Sequence, residues 1–233
     1  MKFLYLSIDL GSFLVPFLFS FHPRIQFNRH FSSVFLSLIL VAVPFIAWDI
    51  YFTHRGVWGF NPSYLTGIYF FNLPIEEVLF FIMIPFSCLF TQFCIRKLWL
   101  KDFQFVGANK ILYLFSIILF SIAIINFDKY YTSWALLFDA IVLVVFAFFS
   151  PRSSTLFLIS YLILQFPFLI VNGLLTGTGI ESEVVWYNNN ENLGLRVMTI
   201  PVEDFFYGMS FMLLNLFLFH RFTAKFSASA TEN

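Results

Sequence analysis

The chain has 233 residues, of which 60% are hydrophobic and 11% are charged, and its mean hydropathy is +0.84. These values exclude an ordinary soluble domain and indicate an integral membrane protein. The net charge of zero excludes a basic face, so no nucleic-acid partner is expected. Cys88 and Cys94 lie at the end of an apolar segment with a spacing that indicates free buried thiols rather than a metal site or a disulfide.

Several apolar segments approach the length of about 20 residues that a helix needs to cross a bilayer. They are residues 3–21, 31–50, 74–95, 110–127, 132–149, 154–172 and 200–219. The first segment is interpreted as a retained span rather than a signal peptide, because no small-residue cleavage site follows it. The sequence therefore predicts an all-α integral membrane protein with about seven transmembrane helices.

The distribution of Lys and Arg between the loops predicts the orientation of the chain. One side carries Arg24, Arg29, Arg96, Lys97, Lys101, Lys110, Arg152, Arg221 and Lys225; the other carries Lys2, Arg55, Lys129 and Arg196. Because cytoplasmic loops are enriched in Lys and Arg, the first side is assigned to the cytoplasm. We expect a bacterial inner-membrane protein with its N-terminus outside and a cytoplasmic C-terminal tail, residues 223–233.

Two long loops, residues 51–73 and 173–199, contain Trp, Tyr and Phe among Asn and Gly. Irregular backbone near membrane depth is tolerated where protein or a water-filled cavity shelters it. One interpretation is that these loops are partly re-entrant caps over a cavity. The alternative is that they are exposed loops with an interfacial belt of aromatic residues.

The two halves of the chain share an internal repeat. The matched pairs are Pro44 with Pro167, Asp49 with Asn172, Gly56 with Gly179, Gly67 with Gly194, and the motif Pro74-Ile75-Glu76-Glu77 with Pro201-Val202-Glu203-Asp204. The repeat predicts two three-helix units, residues 1–97 and 132–222, joined by a linker, residues 98–131. The linker contains one extra helix, so the two units are expected to be parallel, with a pseudo-two-fold axis along the membrane normal.

The acidic doublets can be interpreted in two ways. Pro at a helix start followed by Glu or Asp in the first turn is ordinary helix capping. However, one carboxylate satisfies the helix dipole, and each copy has two. Adjacent residues on a helix point about 100° apart, so one member of each doublet can face a cavity. A carboxylic acid in an apolar pocket tends to stay neutral, which makes it a suitable general acid.

The sequence offers no other recognisable catalytic apparatus. The four histidines form no HExxH pattern, there is no phosphate-binding glycine loop, and the aspartate-rich motifs that hold magnesium and diphosphate are missing, so no metal site is expected. Aromatic faces attract cations. Trp48, Trp58, Phe80 and Trp186 near the doublets are therefore candidates to line a site for carbocation chemistry.

The repeated pattern resembles the membrane-integral lycopene cyclases of the heterodimeric or fused type. It is carried by Asp49, Gly56, Trp58, Gly67 and Pro74-Ile75-Glu76-Glu77, with a second copy from Asn172 to Asp204. The resemblance implies carotenoid biosynthesis by a lycopene β-cyclase, an intramolecular lyase or isomerase. It also implies a lycopene substrate within the bilayer and no flavin or other cofactor, and it leaves association with other carotenoid enzymes open. The chain departs from a symmetric pattern at Asn172 and at Glu181, where a counterpart of Trp58 is missing.

The resemblance implies a redox-neutral mechanism and roles for the site residues. Glu76 or Glu77 protonates C2 of the acyclic ψ-end, the C5=C6 bond attacks the C1 cation, and loss of a proton from C6 gives the β-ring of γ-carotene or β-carotene. Glu203 or Asp204 takes that proton or keeps the acid protonated, and Asp49 acts as a relay. The expected substrate contacts are Trp48, Trp58, Phe80, Asn172 and Trp186.

Three other functions remain open at this stage. A related cyclase that makes ε or γ rings, or that acts on C50 carotenoids, would share every feature described so far. A small proton-coupled transporter would also have parallel repeats and intramembrane acids, although such acids usually lie near helix centres. A structural partner of a separate catalytic chain is the third alternative.

Overall fold

The computed structural model describes residues 2–100 and 103–231, with side chains described as far as residue 226. Lys101, one of the residues used for the orientation, lies outside the described residues. Helices within them are α1 (Leu4–Phe19), α2 (Phe31–His54), α3 (Ile75–Leu98), α4 (Ala108–Ile125), α5 (Tyr130–Phe149), α6 (Ser154–Leu175) and α7 (Val202–Thr231). Short 3₁₀ helices occupy Phe27–His30, Pro62–Tyr64 and Pro151–Ser153.

Within the described residues, six helices, α2 to α7, are long and apolar enough to cross a membrane. Helix α1 is equally apolar, but its 16 residues fall short of the roughly 20 that a complete span needs. Most ends of the predicted apolar segments lie within a few residues of a helix end. The prediction of an all-helical membrane protein is confirmed at this level.

The helices pack in two groups around a shared interior. Helix α3 packs against α1 and α2, while α7 packs against both α2 and α5. Leu38, Phe86, Leu143 and Leu213, from α2, α3, α5 and α7, are all essentially inaccessible to solvent. Helix α4 packs mainly against α5. Apolar burial therefore joins the two ends of the sequence into one helical body.

The two long loops form small antiparallel sheets that the sequence did not predict. Their strands are β1 (Trp58–Phe60), β2 (Tyr69–Phe70), β3 (Leu73–Pro74), β4 (Val185–Tyr187), β5 (Arg196–Val197) and β6 (Ile200–Pro201). Strand β1 pairs with β4, so the two loops hydrogen-bond to each other, and β2–β3 and β5–β6 form hairpins. Trp58, Leu65 and Val184 are buried, which supports the interpretation of the loops as caps.

The same local structure is present in both loops. The amide of Asn61 donates to the carbonyl of Val184 at 2.8 Å, and the amide of Asn188 donates to the carbonyl of Val57 at 2.9 Å. Reciprocal pairs of this kind are what a two-fold axis produces. In this register the strand Trp58–Phe60 corresponds to Val185–Tyr187. This register matches Trp58 with Val185 instead of Glu181, and in either comparison Trp58 has no tryptophan counterpart in the second loop.

Each hairpin ends at the proline that precedes an acidic doublet. Pro74 has extended backbone, with φ −63° and ψ 149°, and lies in β3 rather than in the first helical turn. The amide of Ile75 donates to the carbonyl of Ile68 at 2.9 Å, and that of Val202 donates to Leu195 at 3.1 Å. The hairpins thus fix the direction in which α3 and α7 start, and with it the direction of the acidic side chains.

Candidate active site

A cavity of about 300 Å³ lies between α1, α3, α6, α7 and the paired loops. On α3 its wall is a stripe of residues three or four positions apart: Glu77, Phe80, Ile84, Ser87 and Thr91. At 1.5 Å per residue this stripe is about 21 Å long. The cavity is therefore an elongated apolar groove that begins at the acidic end of α3.

The two members of the first doublet point in different directions. Glu76 is completely buried, and its Oε1 accepts a hydrogen bond from the Thr66 amide at 2.6 Å. Glu77 lines the groove, and its Oε2 accepts a hydrogen bond from the Tyr5 hydroxyl at 2.6 Å. The angle of about 100° between successive helical side chains explains this division. Glu76 stabilises the loop, and Glu77 faces the cavity.

The second doublet divides in the same way. Glu203 Oε1 accepts hydrogen bonds from the Leu193 amide at 2.8 Å and from the Thr132 hydroxyl at 2.6 Å, away from the groove. Asp204 lines the groove. Its donors are the Tyr131 hydroxyl at 2.5 Å, the Asn172 side-chain amide at 2.8 Å and the Tyr187 hydroxyl at 2.9 Å. Three donors stabilise negative charge on this carboxyl group.

Asp49 belongs to the same wall as Glu77. Its Oδ1 accepts a short hydrogen bond from the Trp58 indole and a longer one, 3.4 Å, from the Thr53 hydroxyl. The carboxyl groups of Asp49 and Glu77 are neighbours. The Trp58 ring packs edge-on against Tyr131, with ring centroids 5.1 Å apart, and so connects the Asp49 side of the groove to the Asp204 side.

Three carboxyl groups line the groove: Asp49, Glu77 and Asp204. No Lys, Arg or His is among the described residues of its wall. Burial and the neighbouring Asp204 raise the pKa of the Tyr187 phenol well above its usual value, so this hydroxyl remains a donor. Asp49 and Glu77 are neighbours, and a proton shared between them is the least costly way to relieve like-charge repulsion in so apolar a space.

Of the five predicted substrate contacts, three line the groove and two do not. Trp58, Phe80 and Asn172 line the groove. Trp48 lies behind its wall, with its ring 5.6 Å from that of Tyr207, which does line it. Trp186 lies over Gly59 on the outside of the sheet and is 40% exposed; a Cβ at Gly59 would come within 2.3 Å of the indole. Trp48 and Trp186 therefore do not reach the groove.

Two tyrosines of the site were missed by the sequence reasoning. Tyr5 and Tyr131 are each the second residue of a helix, α1 and α5, and each donates to the groove-facing member of an acidic doublet. Both tyrosines occupy the same position in their helices, so a comparison of the two halves of the sequence contains a signal for them. The matched polar residues lie further along each half, and the tyrosines are too far from the doublets in sequence for a direct link to be visible.

The described residues contain no group of three or more His, Cys, Asp or Glu side chains arranged to hold a metal ion. Cys88 and Cys94 are free thiols. The wall instead supplies carboxyl and phenol groups beside aromatic rings. This set can donate and accept protons and can stabilise a positive charge.

The fold and the groove define a helical membrane protein with an acid-lined apolar site. The family model described as Lycopene cyclase matches residues 2–95 and 128–222, so the chain belongs to the lycopene cyclase family. The expected resemblance is confirmed. The two matched stretches leave out residues 96–127, which contain α4.

One similar curated protein is a bifunctional lycopene cyclase/phytoene synthase of Aspergillus niger. It is 30% identical over 72 residues, which cover 28% of this chain and 12% of the fungal protein. The match therefore spans only a small part of that relative. No solved structure matches the chain.

Proposed function

We propose that this protein cyclises the acyclic ends of lycopene to β-rings by proton transfer, without a change in oxidation state. The observation that carries the proposal is the groove, in which Asp49, Glu77 and Asp204 meet aromatic rings and apolar side chains. Protonation of an alkene needs an acid that retains its proton in a desolvated space, and the resulting carbocation needs nearby negative charge or π-faces. Membership of the lycopene cyclase family supports the same chemistry.

The shape of the groove fits a linear polyene. The acidic groups lie at one end, and the wall continues along α3 to Thr91 and along α6 to Tyr161. A cavity of about 300 Å³ is at the lower end of small-molecule sites, which suits one end group rather than a whole C40 chain. We therefore place one ψ-end beside the carboxyl groups, with the polyene extending along the groove toward lipid.

Glu77 is the proposed acid. Its neutral form is favoured by the apolar surroundings and by the neighbouring carboxyl group of Asp49, and it gives its proton to C2 of the end group; the Tyr5 hydroxyl then stabilises the carboxylate that is left. The C5=C6 electron pair then forms the C1–C6 bond, which moves the positive charge to C5. Loss of the C6 proton leaves the C5=C6 double bond of a β-ring, so the reaction is an isomerisation.

Asp204 is the proposed base and cation stabiliser. Tyr131, Asn172 and Tyr187 donate to it, which stabilises negative charge opposite Glu77 in the same groove. Asp204 then releases the proton taken from C6 to solvent, and Glu77 regains a proton from solvent before the next turnover. The rings of Trp58, Phe80 and Tyr207 provide π-faces for the cation.

We further propose that the site is built by two parallel units, residues 1–97 and 132–222, with residues 98–131 as a linker and 223–233 as a tail. Support comes from the reciprocal loop hydrogen bonds and from the matched hairpins before each doublet. The Lys and Arg distribution supports an orientation with the acidic end outside and the C-terminus in the cytoplasm.

The test is expression of this chain alone in lycopene-accumulating cells, followed by assay of the purified protein in lipid vesicles containing lycopene. Conversion to γ-carotene and β-carotene is expected without added flavin or nicotinamide. In D₂O the proposed proton addition introduces one deuterium for each ring formed, which mass spectrometry detects. Rings without deuterium, or an ε-ring product, would contradict the assigned proton transfers.

A further inference from the structure

A second cavity lies at the opposite end of α3 from the acid-lined groove. Its volume is about 390 Å³. The residues that line it are His30, Phe93, Arg96, Lys97, Phe219, His220 and Thr223. Four of these are basic residue types, and no Asp or Glu is among the described residues of the wall. The second cavity and the acid-lined groove therefore have opposite electrostatic character.

The basic side chains of this second cavity have different surroundings. Lys97 donates to the Ile25 carbonyl at 2.7 Å. Arg96 is exposed at the cavity wall, beside His220. The buried Thr223 hydroxyl has no hydrogen-bond partner among the described residues. Arg96 and Lys97 are the positively charged residues of this wall, and two like charges held close together lower their energy when an anion is bound between them.

The floor of the second cavity is aromatic. The His30 ring lies 5.2 Å from the ring of Phe93 and 6.1 Å from that of Phe219. Glu77 and Arg96 lie 19 positions apart on α3, a rise of about 29 Å, close to the thickness of a bilayer core. A ligand here would thus have its charged group at the membrane face that is opposite the acidic groove, and apolar groups beside it.

We propose that this cavity binds the phosphate headgroup of an anionic phospholipid. Arg and Lys recognise phosphate oxygens by charge-assisted hydrogen bonds, and basic pockets between membrane helices hold phosphate headgroups. A free phosphate offers the same oxygens, but it would leave the aromatic floor uncovered. The lipid therefore matches both the charges and the apolar surface. The proposal is independent of the cyclase reaction.

The test uses the purified full chain and native mass spectrometry with phosphatidylglycerol, phosphatidylcholine or inorganic phosphate as the added probe. The wild-type protein is expected to retain phosphatidylglycerol at least about fivefold better than phosphatidylcholine, as expected for one basic group near a phosphate. Arg96→Gln should lose about fivefold in phosphatidylglycerol binding, and Arg96→Glu should lose more. Both substitutions change an exposed side chain, so the fold is retained.

The matched control is Arg152→Gln, which removes an exposed positive charge at the same end of the molecule but outside the cavity. It should bind phosphatidylglycerol as the wild type does. Equal losses in the Arg96 and Arg152 variants would overturn the proposal, because binding would then reflect general surface charge. Displacement of phosphatidylglycerol by equimolar inorganic phosphate would overturn the lipid assignment in favour of a free phosphate.

Discussion

The two acidic doublets have the same architecture but different surroundings. In each, the first acid stabilises the preceding loop through a backbone amide, and the second faces the groove. Glu77 has one phenol and a neighbouring carboxyl group, Asp49, whereas Asp204 has two phenols and an amide. Under the proposed mechanism, the surroundings of Glu77 suit a carboxyl group that holds a proton, and those of Asp204 suit one that carries a negative charge.

The largest effect is expected for Glu77→Gln, which removes the proposed acid and leaves the side-chain shape unchanged. Cyclisation should fall by at least about 100-fold, the usual lower range for loss of a general acid. Pigment chromatography from lycopene-accumulating cells, normalised to protein in the membrane, measures it. Ring formation at the wild-type rate in this variant would remove Glu77 from the mechanism.

Asp204→Asn removes the proposed base and cation stabiliser in the second doublet. The amide cannot carry negative charge, and its NH₂ group would face the donors Tyr131, Tyr187 and Asn172. A loss of about 100-fold is expected from the missing electrostatic stabilisation. Initial rates in lycopene-containing vesicles measure it. An effect no larger than that of Glu203→Gln, the control within the same doublet, would contradict the role of Asp204.

Asp49→Asn makes the first unit resemble the second, in which Asn172 stands at the matched position. The amide oxygen can still accept from Trp58, but the neighbouring proton site is lost. We expect about a tenfold fall in rate, which corresponds to one charge-assisted hydrogen bond. Steady-state rates measure it. If Asn172→Asp alone instead raised the rate, the proposed roles of the two halves, proton donor in the first and base in the second, would be reversed.

The smallest effect on the reaction is expected for Glu76→Gln, because an amide oxygen can still accept from the Thr66 amide. The rate should stay within about tenfold of the wild type, well above that of Glu77→Gln. Glu76→Ala should instead lower stability by about 1–3 kcal/mol, since a buried donor loses its partner. Thermal unfolding in detergent measures this change. Glu76→Gln as inactive as Glu77→Gln would contradict the division within the doublet.

The sequence predicted the helices and the doublets because both depend on local patterns. Apolar length identifies a span, and Pro-x-Glu-Glu identifies a helix start. Which glutamate faces inward depends on the rotational position of α3 at its first turn. The hairpin that ends at Pro74 sets this position, and hairpin pairing was not readable from its short strands.

The missed contacts have a similar cause. Tyr5 reaches Glu77 only because α1 packs against α3, a contact between distant parts of the chain. Trp48 and Trp186 were expected in the groove because they lie close to site residues in sequence. Trp48 lies behind Tyr207, and Trp186 lies over Gly59 on the outer side of the sheet. Proximity in sequence does not determine which face of a helix or strand a residue occupies.

The shared groove has a consequence for product distribution. Residues from both halves of the chain line one groove, so under the proposed mechanism Glu77 and Asp204 serve one end group at a time, while lycopene has two ends. A bicyclic product then requires the monocyclic intermediate to withdraw, reverse its direction in the bilayer and enter again. The ratio of γ-carotene to β-carotene would therefore report how quickly the intermediate diffuses away relative to its return, and diluting the protein in lipid should shift that ratio toward the monocyclic carotenoid.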